Sequence, residues 1–255
     1  MAYVSNELFH FVGRSLPTED QQYRLLTEIL DTGWLQSSYR AELGASGTML
    51  VDPRNEPSTN ETVRVPALCF CDIPFDSLSI HMEKYSRFGI SFDREFLVSR
   101  GANPVFYVAV NAPPPSTPGR GPRTLGGQFN RLFHECIELQ TRVHSFAFSR
   151  HSQQIGGHRV TYKYSPEGTP EELVICGKLG AIISDLESLV FARLKFFESW
   201  LPDNDKDNFY MEREWRKIGG LAFSPDEVTR LIVPSLYAEK LATDFPQYSQ
   251  IIHSV

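Results

Sequence analysis

A short stretch late in the chain, FYMEREWRK at residues 209–217, alternates acidic and basic side chains with apolar or aromatic ones. If it is a strand, Glu212, Glu214 and Arg216 share one face, because successive side chains point to opposite sides of a sheet. The two carboxylates would lie about 7 Å apart, and Arg216 could pair with one of them. The stretch is then either a solvated charge ladder or the edge of a cleft. Arg213 favours the cleft, because it leaves neither face as an obvious core face.

Neighbouring carboxylates suit chemistry that passes through a sugar oxocarbenium ion. One negative charge can stabilise the developing cation or orient a ribose hydroxyl, and a second can accept a proton from the attacking group. Glycosyl transfer and N-glycosidic cleavage both fit this description. A metal-dependent nuclease would need a cage of acids instead, for which Asp72, Glu212 and Glu214 are the candidates.

Other candidate side chains lie in two blocks upstream. His10 stands between two phenylalanines in a predicted strand, where it is either satisfied by the backbone or a donor to a sugar or phosphate. His81 and Tyr85 are four residues apart and share a helix face, which could be a solvated face or a stacking platform. Lys84 and Arg87 beside them could contact phosphate. The remaining histidines lack metal-site spacing, so no metal site is predicted.

Composition restricts the class of protein. The chain has 255 residues, 41% hydrophobic and 22% charged, with a net charge of −6, which is typical of a globular protein without an overall nucleic-acid-binding surface. Residues 119–131 carry three arginines and no acid, so a local RNA or DNA groove stays open. No membrane span or secretion signal is seen, and we expect a cytoplasmic protein whose four cysteines are reduced and mostly buried.

The elements that position these side chains follow from apolar periodicity. LFHFVG predicts a first strand, and Thr18 and Gly33 predict the two ends of the first helix. Further strands and helices follow without a repeating βαβ order, so we expect an α+β fold with mixed or antiparallel sheets. We expect loops at 36–62, 111–127 and about 150–170, and a long apolar helix that breaks near Gly177–Gly180.

Three blocks stand in a recognisable order: FHFVG, then CFCDIPFDSLSIHMEKYSRFGISF, then FYMEREWR followed by TRLIVP. This order resembles the abortive-phage-resistance AbiGi-type family over residues 8–110 and 205–235, with the helical middle outside the resemblance. It is also similar to the ADP-ribosyltransferase fold. The resemblance implies one ADP-ribosyltransferase-like domain over 1–255, with a split sheet and a helical insert at about 128–201.

The second resemblance assigns roles to individual residues. Glu214 would be the catalytic glutamate, and Glu212 would position the acceptor. NAD would be the substrate, with His10 holding its ribose and Tyr85 stacking near the nicotinamide. The whole expected NAD site comprises His10, Phe11, Arg14, His81 and Tyr85.

Three functions remain open from the sequence, of which the metal-dependent nuclease described above ranks last. The first is an NAD-dependent ADP-ribosyltransferase that acts as an antiphage or toxin effector on a nucleic-acid or protein acceptor, controlled by a cognate antitoxin or regulatory protein. The second is a non-catalytic antitoxin or interaction module of an abortive-infection system. If the first is right, His10, Tyr85 and Glu214 should line one cleft.

Overall fold

A computed structural model describes most of the chain and divides it into two units. The first unit comprises Met1–Leu50, Arg64–Tyr107 and Phe197–Val255, and the second comprises Val51–Val63 and Val108–Phe196. The residues described are 5–37, 50–52, 54–114, 123–147, 150–155, 158–163, 169–202, 205 and 207–255.

Short strands alternate with helices along the described chain. The strands are β1 Glu7–Phe11, β2 Trp34–Leu35, β3 Leu50–Val51, β4 Val63–Arg64, β5 Ala67–Cys71, β6 Gly89–Asp93, β7 Asn103–Pro104, β8 Phe106–Ala109, β9 Arg150–Ile155, β10 His158–Lys163, β11 Leu194–Phe197, β12 Glu214–Ile218, β13 Leu221–Ala222, β14 Val228–Val233 and β15 Ile252–Ser254. The α-helices are α1 Glu19–Thr32, α2 Ser79–Lys84, α3 Arg94–Ser99, α4 Leu125–Ala147, α5 Pro170–Asp185 and α6 Ser235–Asp244.

The first unit is built on a seven-stranded sheet with the order β15-β14-β6-β1-β5-β12-β7. Its pairings are antiparallel except for β14 and β15, which run parallel. The predicted α+β class with mostly antiparallel strands is therefore confirmed. These seven strands form one sheet, whereas a split sheet was expected.

Helix α1 has the ends that the sequence predicts. The Thr18 hydroxyl accepts a hydrogen bond from the Gln21 backbone N–H at 3.3 Å, which satisfies one free donor of the first turn. Gly33 ends the helix in the left-handed conformation at φ 59°, which a residue without Cβ adopts at little cost. The predicted apolar stripe of Tyr23, Leu26, Ile29 and Leu30 is buried.

The two faces of the sheet bury different sets of side chains. Leu8, Phe70 and Phe92 belong to the main core, together with residues of α1 and α6. A fully buried side chain of this size stabilises the fold by about 1.5–3 kcal/mol. The opposite face carries a smaller cluster that includes Phe9 and Cys71, with Phe11 packed against it. This second face also carries the charged residues of interest.

The second unit has its own apolar cluster. Phe133 and Cys136 of α4 pack with Ile183 of α5 and with Phe191 and Phe196. The predicted insert at about 128–201 lies mostly within this unit, which also includes Val51–Val63.

Two local predictions for this unit are wrong. Residues expected as a polar loop at about 150–170 include the antiparallel hairpin of β9 and β10. The apolar helix does not break at Gly177–Gly180, because α5 runs through both glycines to Asp185 and continues as a π-helical turn at Leu186–Val190. A helical glycine costs only about 1 kcal/mol, which neighbouring apolar contacts can offset.

Loop and cysteine predictions have mixed outcomes. Parts of the predicted loops, 38–49, 53 and 115–122, lie outside the described residues. Cys71 and Cys136 are buried as expected, whereas Cys69 is exposed, although it shares a strand face with Cys71.

Candidate functional site

The stretch FYMEREWRK at residues 209–217 is only partly a strand. Residues Phe209–Glu212 form a 3-10 turn, Arg213 adopts the left-handed conformation at φ 43°, and the strand begins at Glu214. The prediction of a strand over 209–213 is therefore wrong. Asp72 holds the turn from both sides: its N–H donates to the Arg213 carbonyl at 3.1 Å, and its carboxylate accepts from the Arg213 guanidinium at 3.4 Å.

Glu214 and Arg216 do share one face of β12, as predicted. The Arg216 Nε donates to Glu214 Oε1 at 2.6 Å, and Nη2 lies 3.4 Å from Oε2. Glu214 is only 5% exposed. Burial acts to lower the pKa of Arg216, but the charges and hydrogen bonds of Glu214 and Cys69 together raise it above its usual value, so Arg216 stays charged. The carboxylate is consequently neutralised by its own strand neighbour.

Tyr107 fixes the backbone at the start of this strand. Its hydroxyl accepts a hydrogen bond from the Glu214 N–H at 2.6 Å. Burial is the main cause that raises the pKa of Tyr107, so the phenol stays neutral. Sequence reasoning missed this residue, because the spacing within β8 contains no signal that points to a position on β12.

Glu212 has a separate pair of partners, one at the last residue of α2 and one at the residue that follows it. Lys84 Nζ lies 2.7 Å from Glu212 Oε1, and the Tyr85 hydroxyl donates to the same oxygen. Glu212 is 7% exposed. Burial, and next the Glu212 charge, raise the pKa of Tyr85, so the phenol remains a donor. Lys84, predicted as a phosphate contact, is thus used to neutralise a buried carboxylate.

Three other predicted residues gather around the Tyr85 ring. Phe11 stacks on it with ring centroids 6.1 Å apart, and the Arg14 guanidinium lies 4.8 Å from its centroid. His81 lies 6.2 Å from Tyr85 and is 7% exposed, and its Nδ1 has no hydrogen-bond partner among the described atoms. Burial lowers the pKa of His81, which favours the neutral ring. We call Arg14, Lys84, Tyr85, Glu212, Glu214 and Arg216 the charged cluster.

His10 does not join the charged cluster, so the expectation of a shared cleft is wrong for this residue. It pairs with Ile90 on β6, whereas its neighbours Phe9 and Phe11 point to the cluster side. Its Nδ1 hydrogen-bonds the Cys69 carbonyl at 2.8 Å, and its ring lies 5.6 Å from Phe70. Strand alternation is the physical reason, since adjacent side chains face opposite sides. Burial lowers the pKa of His10.

The cluster thus brings Tyr85 and Glu214 together and separates both from His10. Each carboxylate that we singled out already has a cation: Lys84 for Glu212, Arg216 for Glu214 and Arg213 for Asp72. Across the described part of the chain, no three histidine, cysteine or acidic side chains converge as a metal site would require. The arrangement is a neutralised set of buried charges with a cationic rim at Arg14.

The fold and the charged cluster define the first unit as an α+β unit whose buried carboxylates are paired with cations. Comparisons with known proteins then identify the family. A family model described as "Putative abortive phage resistance protein AbiGi, antitoxin" matches residues 55–245. The chain therefore belongs to the AbiGi family. The match includes the helical middle, so the prediction that this region lies outside the resemblance is wrong.

A curated relative gives the same family name. The abortive phage resistance protein AbiGi of Lactococcus lactis subsp. cremoris is 24% identical over 173 residues, which cover 66% of this chain and 55% of the relative. The chain thus spans about half the length of this relative. No solved structure matches the chain. Among the helices described, none is both long and apolar enough to cross a bilayer.

Proposed function

We propose that this chain is an antitoxin-type interaction protein of an abortive-infection system, which neutralises a partner toxin by binding it. The family description, which names an antitoxin, supports this function. The observation that carries it is the pairing of Glu212 and Glu214 with Lys84 and Arg216 inside the protein. A buried carboxylate with its own cation contributes to folding, and it is poorly placed to stabilise a cation on a substrate.

Growth of a bacterial host tests this proposal. A cell that makes the toxin must also make its antitoxin, so the two genes have to be inherited together. The protein encoded by the gene next to this one is therefore the first candidate toxin to test. Expressed alone, that neighbour should arrest growth, and co-expression of this chain should restore it. Persistent arrest, with this chain folded and abundant, would contradict the proposal.

The NAD-dependent ADP-ribosyltransferase is the second candidate function. The observation that favours it is the grouping of Phe11, Arg14 and His81 around Tyr85, on the face that also carries Glu214. Arg14 could bind the pyrophosphate, and the stacked rings could hold the nicotinamide. Glu214 would have to leave Arg216 to orient the ribose, and the ribose contact assigned to His10 would need another donor.

Labelled NAD separates the two candidates. The purified chain is incubated with the label, alone and with RNA, DNA or a protein extract. A transferase releases nicotinamide and labels an acceptor, and Glu214→Gln abolishes both while the protein stays folded. Absence of NAD binding and turnover in the folded wild type would leave the interaction protein.

A further inference from the structure

In the first unit, the described residues between Phe197 and Met211 include several exposed apolar and aromatic side chains and two aspartates. Trp200 is 65% exposed, Tyr210 is 52% exposed and Met211 is 36% exposed. Asp205 and Asp207 lie between them in the sequence. Trp, Tyr and Met are the residue types enriched at protein interfaces. We call Phe197, Trp200, Asp205, Asp207, Tyr210 and Met211 the aromatic–acidic surface.

The aromatic part of this surface is held in place from beneath. The Tyr210 ring stacks on Phe197 with centroids 5.0 Å apart, and it meets the edge of Tyr107 at 5.2 Å. Tyr107 is itself fixed by the hydrogen bond from the Glu214 N–H. A ring that is already ordered loses little conformational entropy when a partner binds.

The acidic part is ordered as well. The Asn208 side-chain amide donates to the carbonyls of Leu201 and Pro202, each at 3.2 Å, and the Asn208 N–H donates to the Asp205 carbonyl at 3.0 Å. The Asp207 N–H donates to the Asp205 carboxylate at 2.8 Å. These bonds hold the residues around Trp200 next to the turn that leads to Tyr210.

The charge of this surface points to a cationic occupant. The segment PDNDKDN at 202–208 has three aspartates and one lysine, in a chain whose net charge is −6. In the described part of the chain, no lysine or arginine lies within ion-pair distance of Asp205 or Asp207. Arginine is the side chain that both stacks on aromatic rings and pairs with carboxylates. Nucleic acid fits less well, because the carboxylates repel phosphate.

We propose that the aromatic–acidic surface binds an arginine-bearing, cationic surface of a protein toxin. The proposal rests on the function proposed above and names the part of the chain that makes the contact. Guanidinium groups stack on Trp200 and Tyr210, and pair with Asp205 and Asp207. The charged cluster supports this surface through Tyr107 and takes no part in the contact.

The test measures binding of the purified neighbour-encoded toxin to surface variants, beside the growth assay. Trp200→Ala should weaken binding about thirtyfold, as expected for a central aromatic contact. Asp205→Asn with Asp207→Asn should weaken it about fivefold to tenfold and flatten its salt dependence. Asparagine keeps the oxygen that Asp205 offers to the Asp207 N–H, so the turn should stay intact. Leu236→Ala, at a site 82% exposed on α6, and Asp31→Asn on α1 are matched controls that should bind normally.

The possible outcomes separate a failure of the surface proposal from a failure of the proposed function. If the wild type does not neutralise the toxin, the proposed function fails. If the wild type neutralises it and the folded surface variants bind as well as the controls, the function stands and the surface proposal is overturned. A fluorescent single-stranded RNA of mixed sequence is titrated in parallel. Tight RNA binding that is lost in Trp200→Ala, with toxin binding unchanged, would also overturn it.

Discussion

The two carboxylates of the charged cluster follow the aromatic–acidic surface closely in the sequence, but the acidic side chains of the two regions have opposite environments. In the cluster, Glu212 and Glu214 are buried and each lies within 2.7 Å of a cation. On the surface, Asp207 faces solvent beside exposed rings. Leaving a buried charge without a partner costs about 3–5 kcal/mol of folding free energy. A buried carboxylate therefore needs its cation for the protein to stay folded. An exposed charge has no such requirement and remains available to another molecule.

Removing the cation from the buried pair should give the largest effect. Arg216→Ala removes the cation that pairs with buried Glu214, so the free energy of unfolding should fall by about 3–5 kcal/mol. Urea denaturation measures it, with exposed Arg24→Ala as the control. Glu214→Gln combined with Arg216→Met removes both charges and should recover most of the loss. A loss below about 1 kcal/mol in Arg216→Ala would show that the pair is not buried in solution.

Removing one hydrogen bond from the same cluster should cost less. Tyr85→Phe keeps the ring between Phe11 and Arg14 but removes the donor to Glu212, and should lower the free energy of unfolding by about 1–3 kcal/mol. Tyr210→Phe, which removes a phenol from the exposed surface, is the matched control and should be nearly neutral. Equal losses of unfolding free energy in Tyr85→Phe and Tyr210→Phe would contradict the difference in burial between the charged cluster and the aromatic–acidic surface.

The half-buried ring of His10 should make stability depend on pH. Burial lowers the pKa of His10 in the folded state, so the unfolded chain binds the proton more readily. Stability should therefore be full above the unfolded pKa, near 6.5, and should decline as the pH falls below it. His10→Gln should make this decline shallower than in the wild type. The two curves are compared by thermal melting at several pH values; an unchanged slope in His10→Gln would contradict a lowered pKa of this ring.

Neutralising a surface carboxylate should have the smallest effect on folding. Asp207→Asn should change the free energy of unfolding by no more than about 0.5 kcal/mol, as is usual for exposed sites. Chemical denaturation of the same variants used for toxin binding measures it. A large destabilisation would show that the surface is part of the folding core, and its loss of binding would then carry no information on docking.

The local elements of the first unit were largely predictable from the sequence. Helix α1 has a capping threonine, a terminal glycine and a clear apolar stripe, all of which are local signals. The break at Arg213 was not predictable, because its left-handed conformation depends on contacts with Asp72, far away in the sequence. That one residue separates Glu212 from the strand that carries Glu214.

The candidate site was predictable as a set of residue types and less so as a geometry. Tyr85 and Glu214 do meet on one face, and the order of their blocks anticipated this. His10 was placed wrongly because the sequence FHF is symmetric. It does not show whether the histidine or the two phenylalanines of β1 face the charged cluster, and only the pairing of β1 with its neighbours decides this. Tyr107 carries no sequence signal at all, since only the fold brings β8 to β12.

The most direct measurement is growth rescue by the double variant Glu214→Gln/Arg216→Met, co-expressed with the neighbour-encoded toxin and compared with the wild type and with Trp200→Ala. If the charged cluster is structural and the aromatic–acidic surface makes the contact, the folded double variant should restore growth as the wild type does, and Trp200→Ala should not. Loss of rescue in a stably folded double variant, with rescue kept in Trp200→Ala, would contradict this account and return the carboxylates to a catalytic role.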